Sequence, residues 1–275
     1  MADIVLTRAE LDREYNNREK VPDFQASFER MKAGSDTVRA DLPNQLDVAY
    51  GAGPRHKFDL FRPAGWGGEV LPLAVFIHGG YWHMLDKDLH AFVARGLTAH
   101  GFAVATVGYP LMPEAAMADL VAAVRRALGE LTRRADLLAV DASAVTVLGH
   151  SAGGHLAAIC GADLDDGAEY RLKRIVGLSG LYDLEPISRC YLNDTLDLSA
   201  EDVAAHSPVH LKARTDANGV VLVGGEEGAE YARQSTDLAA AWPGIEAVVL
   251  DGLNHFTIVE QLADPDSAVV RAVVS

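Results

Sequence analysis

Ser151 stands in Gly149-His150-Ser151-Ala152-Gly153, a Gly-x-Ser-x-Gly pentapeptide whose serine could act as a nucleophile. The pattern alone is common and would also suit a glycine-rich turn, but its setting is more specific. AVTVLGH (144–150) reads as a strand before it, and AGGHLAAIC (152–160) as a helix after it. A sharp strand-to-helix turn lifts the hydroxyl above the end of a sheet, and the glycines let the chain fold tightly there. Serine attacks a carbonyl only when a base takes its proton, so a histidine oriented by a carboxylate should follow. His255, in the loop DGLNHF after the expected strand EAVVL, is the one of ten histidines placed beyond every strand. The carboxylate should come from the loop after GVVLV, which offers Glu226, Glu227 and Glu230, and position does not choose among them. Asp251 is a weaker candidate, on the wrong side of the histidine's own short loop.

Acyl transfer also needs donors for the oxygen that becomes negative in the tetrahedral intermediate. His78-Gly79-Gly80-Tyr81-Trp82 follows the expected strand LAVFIH, and its glycines allow backbone N–H groups close to that oxygen. Gly79 and Gly80, with the N–H of Ala152 after the nucleophile, form the expected oxyanion hole. The other histidines fit chemistry less well. His155 lies one turn inside the nucleophile helix, where a core or helix-surface place is expected, and His150 cannot easily reach its neighbour's hydroxyl. His206 and His210 have helical metal spacing, but Pro208 between them breaks the helix. There is no HExxH and no zinc-spaced cysteine pair, and the acidic stretch 163–174 fails as a calcium loop because Ala168 and Arg174 hold its sixth and twelfth positions. A metal mechanism has no support here.

These groups need a scaffold, and the chain alternates short apolar runs with helical ones. LDVAY (46–50) and KFDLF (57–61) flank GAGPRH as a hairpin. LAVFIH, FAVATVGY, AVTVLGH, RIVGLSG, GVVLVGG and EAVVLDG then read as buried strands between helices, including a C-terminal helical stretch from about Thr257. The expectation is an α/β fold with a mixed, mostly parallel eight-stranded sheet and helices on both faces. Residues 1–45 read as a helical arm, with Thr7 and Glu10 as a capping box and Gly34 closing a helix FQASFERMKAG. Residues 181–212, polar and carrying two prolines, read as an insertion over the sheet edge, a lid or pocket wall. The whole of 1–275 is expected to be one domain.

Composition narrows the partners. Of 275 residues 49% are hydrophobic, enough for a sizeable core, and 24 basic against 39 acidic side chains leave a charge of −15. An excess of acid disfavours nucleic acid, whose binding relies on Lys and Arg. No apolar run approaches a membrane span, and the charged first twenty residues contain no export signal, so a cytoplasmic protein with Cys160 and Cys190 as free thiols is expected.

Taken together, HGGYW (78–82), GHSAGGHLAA (149–158), SGLYDLEPI (179–187), EEGAEYARQS (226–235), LNHF (253–256) and EYNNR (14–18) resemble the α/β-hydrolase superfamily, within it the kynurenine formamidase (arylformamidase) branch near the hormone-sensitive-lipase-like esterases. The elbow and HGG are superfamily features; Trp82, SGLYDLEP and the EY-x-RQS stretch point to the branch. The resemblance implies Ser151 as nucleophile, His255 as base and Glu227 as acid, Glu226 staying in reserve, where many members carry Asp. It implies hydrolysis of N-formyl-L-kynurenine to L-kynurenine and formate, with neither a metal nor an organic cofactor. Tyr81, Trp82 and Tyr182 are the expected substrate-binding residues. Trp82 would narrow the acyl side to small groups or else be a core aromatic, and Tyr182 would wall the leaving-group side with 181–212. The partner is thus a small aryl formamide or ester, and a homodimer stays open. The runner-up is a broad carboxylesterase, or an aryl-carbamate or anilide hydrolase. A non-catalytic receptor or scaffold is disfavoured by the presence of all three catalytic residue types.

Overall fold

Along β3 (Leu71–Ile77) the side chains part by the two-residue period of a strand: Leu73, Val75 and Ile77 enter one core while Ala74 and Phe76 enter another. A strand apolar on both faces must be covered on both, and that decides the architecture. The computed structural model describes residues 6–165 and 167–275. The first five residues of the expected arm, and residue 166 within the rejected calcium loop, lie outside the described residues.

The remaining strands are β1 (Asn44–Ala49), β2 (Lys57–Phe61), β4 (Ala103–Val107), β5 (Val140–His150), β6 (Leu172–Leu178), β7 (Gly219–Gly224) and β8 (Ile245–Leu250). They form one eight-stranded sheet in the order β1-β2-β4-β3-β5-β6-β7-β8. β2 runs antiparallel to both its neighbours, and every other pair is parallel. The hairpin and the mixed, mostly parallel sheet are therefore as expected. One face is covered by the helices Met117–Arg133 and Ala152–Cys160, which bury Leu120, Val124, Leu156 and Ile159. The other is covered by the arm helix Phe24–Asp41 and by Ala94–Thr98 and Ala268–Val274, through Met31, Leu97 and Val270.

The arm helix Arg8–Tyr15 begins with the expected box, Thr7 and Glu10 bonding reciprocally. Gly34 does not end the next helix, which runs on to Asp41. A Cβ at Gly34 would lie 3.1 Å from the Phe92 Cβ, so the glycine serves close packing of the helix on the turn Lys87–Val93 rather than termination. The arm touches both cores, with Leu11 and Tyr15 in one and Val21, Met31 and Val38 in the other. The C-terminal stretch is interrupted: a turn of helix at Thr257–Glu260 and a 3-10 turn precede Pro265, and Ser267 caps the final helix.

Residues 181–212 fold into the short helices Glu185–Ser188, Asn193–Leu196 and Ala200–His206 and a 3-10 turn Pro208–His210. They do not lie along an edge strand. They connect β6 to β7, both interior to the sheet, and pack on the helices Met117–Arg133, Ala152–Cys160 and Ala229–Ala241. Neither cysteine is in a disulfide, and both are buried. Among the described residues no helix is long and apolar enough to cross a membrane.

Candidate active site

The turn after β5 holds Ser151 at φ 55° and ψ −122°, a conformation that costs a non-glycine residue about 1–3 kcal/mol and persists where the surroundings enforce it. Here they do. A Cβ on Gly153 would lie 2.0 Å from the Ile77 carbonyl oxygen, and one on Gly149 would lie 2.1 Å from the Gly153 carbonyl oxygen. A side chain at Gly153 would drive the nucleophile helix away from β3, and one at Gly149 would drive it away from β5. The Ser151 N–H donates to the Leu178 carbonyl at 2.8 Å, which ties the turn to β6.

His255 follows β8 in a loop shaped by Asn254, whose side-chain oxygen accepts from the N–H groups of Phe256 and Thr257, each at 3.0 Å. Its Nδ1 lies 2.7 Å from Glu227 Oε2. The other carboxylate oxygen, Oε1, accepts from the Ser179 hydroxyl at 2.5 Å and the Gly224 N–H at 2.6 Å. A carboxylate so fixed can hold the imidazole in one orientation, with the proton on Nδ1 and Nε2 free as a base. Tyr231 and His150 pack beside the ring, centroids at 4.9 and 4.7 Å. The remaining glutamates go elsewhere. Glu226 is exposed, and Glu230 accepts from the Tyr15 hydroxyl at 2.8 Å and from Arg233. Asp251 is exposed as well.

Gly79 and Gly80 lie at the end of β3, against the elbow. A Cβ on Gly79 would stand 2.8 Å from the His150 carbonyl oxygen and 3.1 Å from the Ser151 Cβ. Gly80 adopts φ +110°, where a Cβ would meet the Met84 carbonyl oxygen at 2.2 Å. Ala152 opens the nucleophile helix, so its N–H is among those that helix geometry leaves without an intrahelical partner. The His78 ring stacks on Tyr109 at 4.2 Å and lies 2.7 Å from the Gly79 carbonyl oxygen, propping the loop from below. Burial, helped by the nearby His90, holds His78 well below the ordinary histidine range.

Ser151, His255 and Gly80 line one cavity of about 260 Å³. Tyr81 lines it too, its hydroxyl 3.1 Å from that of Tyr231 and bonded to the Tyr15 carbonyl. Trp82 and Tyr182 do not line it. After Gly80, Tyr81 and Trp82 are left-handed as well, at φ 45° and 60°, and this turn sends the indole inward, where it is fully buried and donates to His155 Nδ1 at 3.1 Å. The expectation that Trp82 narrows the acyl side therefore gives way to its alternative, a core aromatic. Tyr182 is also fully buried, its ring packed under Gly177 and Gly180, so it supports β6 rather than walling a substrate. His155 has a core place, its Nε2 2.7 Å from the His206 carbonyl oxygen, and burial pushes its pKa down to about 3.

Several lining residues have no role in the sequence reading. Tyr191, Leu192 and Thr195 come from the 181–212 segment, and Asn16, Asn17 and Arg18 come from the arm. Asn17 donates to the hydroxyls of Tyr81 and Tyr231, each at 2.7 Å, and Lys20 donates to the Glu227 carbonyl at 2.8 Å, so the arm holds the acid's loop. The polar EYNNR, breaking between two helices, is the only trace of this in the sequence. Ser179, in the SGLYD turn, left no signal that would tie it to the acid.

The match to the BD-FAE family covers residues 58–207. A protein of Salmo salar named kynurenine formamidase is 32% identical over 250 residues, 86% of this chain and 83% of that protein. A solved structure from Silicibacter sp. TM1040, named a "putative thioesterase", is 33% identical with a TM-score of 0.88, over 97% of this chain and 99% of that one. An esterase of Pyrobaculum calidifontis, at 19% identity, shares the fold with a TM-score of 0.69 over 91% of both chains.

Proposed function

The chain belongs to the BD-FAE family and is a serine hydrolase of the formamidase or esterase kind with an α/β-hydrolase fold, and from that we propose that it deformylates aryl formamides, N-formyl-L-kynurenine first among them. The observation that carries the reading is the Glu227–His255 hydrogen bond of 2.7 Å, beside one cavity that Ser151, His255 and Gly80 share. The similarity to proteins named kynurenine formamidase over most of the chain supports the choice of acyl group.

Ser151 Oγ attacks the formyl carbon while His255 Nε2 takes its proton, and Glu227 stabilises the imidazolium that forms. The N–H groups of Gly79, Gly80 and Ala152 receive the oxyanion. The C–N bond then breaks as His255 returns the proton to the departing aryl nitrogen, leaving a formyl ester on Ser151. Water, deprotonated by His255, attacks that ester, formate leaves, and the proton returns to Ser151. The arm and the 181–212 segment act as walls of one catalytic unit spanning 1–275. This reading keeps the enzyme cytoplasmic and admits a homodimer, which light scattering resolves.

Ester or thioester cleavage would use the same groups, and the apolar lining by Phe28, Met31, Leu85 and Leu192 favours it as a second reading. The test is kcat/KM for N-formyl-L-kynurenine beside p-nitrophenyl acetate and butanoate. The formamide is expected to lead. A preference of about tenfold or more for the esters, or about 1.4 kcal/mol in transition-state binding, would move the assignment to a carboxylesterase.

A further inference from the structure

The cavity beside Ser151 has no Asp or Glu in its lining and carries one permanent charge, Arg18. His83, His90 and His150 line it too, but burial holds each below the ordinary histidine range, so they are neutral at physiological pH. In a chain of 39 acidic against 24 basic side chains, a cation facing a cavity free of carboxylates is a distinctive local arrangement.

Arg18 is also uncommitted. Among the described residues no carboxylate lies within salt-bridge distance of it. It donates to the Met84 sulfur at 3.2 Å, and its guanidinium carbon sits 5.5 Å from the centre of the Phe24 ring. A thioether is a weak acceptor and a ring engages the face of the guanidinium, so these contacts steady the group and leave most of its five N–H donors for a ligand. The natural complement of a planar donor fork is a carboxylate, taken by two parallel hydrogen bonds.

We propose that Arg18 sets substrate specificity by binding a carboxylate on the leaving group, so that the preferred substrates are aryl formamides bearing an acidic side chain. This rests on the formamidase reading, because a one-carbon acyl group has no place for the carboxylate. The sequence stretch Asn16-Asn17-Arg18 thereby makes the arm part of the substrate site, not only a clasp on the Glu227 loop.

The experiment compares N-formyl-L-kynurenine with 2-formamidoacetophenone, the same aryl formamide without its amino-acid end, in wild type, R18Q and R18K. Losing a hydrogen bond between charged groups should lower the charged-to-neutral ratio of kcat/KM about tenfold to a hundredfold in R18Q, through KM, with R18K recovering part of it. An R18Q enzyme in which both substrates fall alike, or neither changes, would overturn the proposal. If wild type cleaves neither formamide, the formamidase reading fails by itself. Arg18 is then judged by the same ratio for 3-(4-acetoxyphenyl)propionate over 4-ethylphenyl acetate: a tenfold drop in R18Q upholds it and an unchanged ratio refutes it.

Discussion

Replacing Glu227 by glutamine tests the tautomer of His255 while leaving its position alone. Oε2 of Glu227 meets His255 Nδ1 at 2.7 Å, and Oε1 takes two donors, the Ser179 hydroxyl at 2.5 Å and the Gly224 N–H at 2.6 Å. A glutamine fills the same space with one acceptor oxygen and one NH2. Its oxygen must take the Oε1 place, since an NH2 there would oppose the Gly224 N–H, which is fixed by the backbone. The NH2 then points at His255 Nδ1 and obliges that atom to accept, so the ring proton moves to Nε2, the atom that has to receive the Ser151 proton. The matching carboxylate-to-amide change in a serine-protease triad lowers kcat by about 10⁴ while preserving geometry. At about 1.36 kcal/mol per factor of ten, that is roughly 5.4 kcal/mol of barrier. E227Q should therefore lose about 10³- to 10⁴-fold in steady-state kcat on its best substrate, with KM changed by less than about threefold. E226Q, at an exposed position, should stay within about twofold of wild type. An E227Q enzyme with more than a tenth of wild-type kcat, or a large loss in E226Q instead, would refute the assignment of the acid.

Other expectations concern the fold around the site. Burial lowers His90 to about 4 and His155 to about 3 from an ordinary 6.5, so the folded state declines protons that the unfolded chain accepts. The stability these histidines contribute is whole above pH 6.5 and drains as pH falls toward 4, about 1–3 kcal/mol being lost between pH 7.5 and 5.5; urea melts that are flat over that interval would contradict their neutral burial. W82F removes the donor to His155 Nδ1 and should cost about 1–3 kcal/mol in a denaturant melt, while the formyl-to-butanoyl ester selectivity stays within about twofold. A widened acyl range in W82F would return Trp82 to the substrate wall. G80A, which sets a Cβ 2.2 Å from the Met84 carbonyl oxygen, should lower kcat by about 10²-fold or more in a protein that still melts cooperatively.

The parts of the site that were legible in the sequence are those held by local backbone rules. The elbow and the strand before it follow from glycines at fixed offsets, and the place of His255 follows from chain order beyond β8. The choice of Glu227 over Glu226 and Glu230 needed the resemblance, because three carboxylates on one loop differ only in where the loop turns them. Trp82 and Tyr182 lie in the core for reasons no motif shows: the run of left-handed residues after Gly80 turns the indole inward, and the Tyr182 ring folds back against Gly177 and Gly180. Gly34 reads as a terminator because its use, close approach to Phe92, is a contact some 58 positions away. Asn17, Arg18 and Ser179 lie in stretches that carry the resemblance and Tyr191 in the expected pocket wall, but what each touches was not legible: the arm and 181–212 reach the site only by docking on the finished sheet, and Ser179 meets Glu227 across 48 positions.

The central claim is that Ser151 becomes acylated under the care of His255 and Glu227. Incubation with a fluorophosphonate, followed by peptide mass spectrometry, tests it most directly. The account predicts one adduct on the peptide that contains Ser151, slowed by N-formyl-L-kynurenine in competition, strongly slowed in E227Q and absent in S151A. An adduct on another residue, or an unlabelled enzyme that still turns over its substrate, would contradict it.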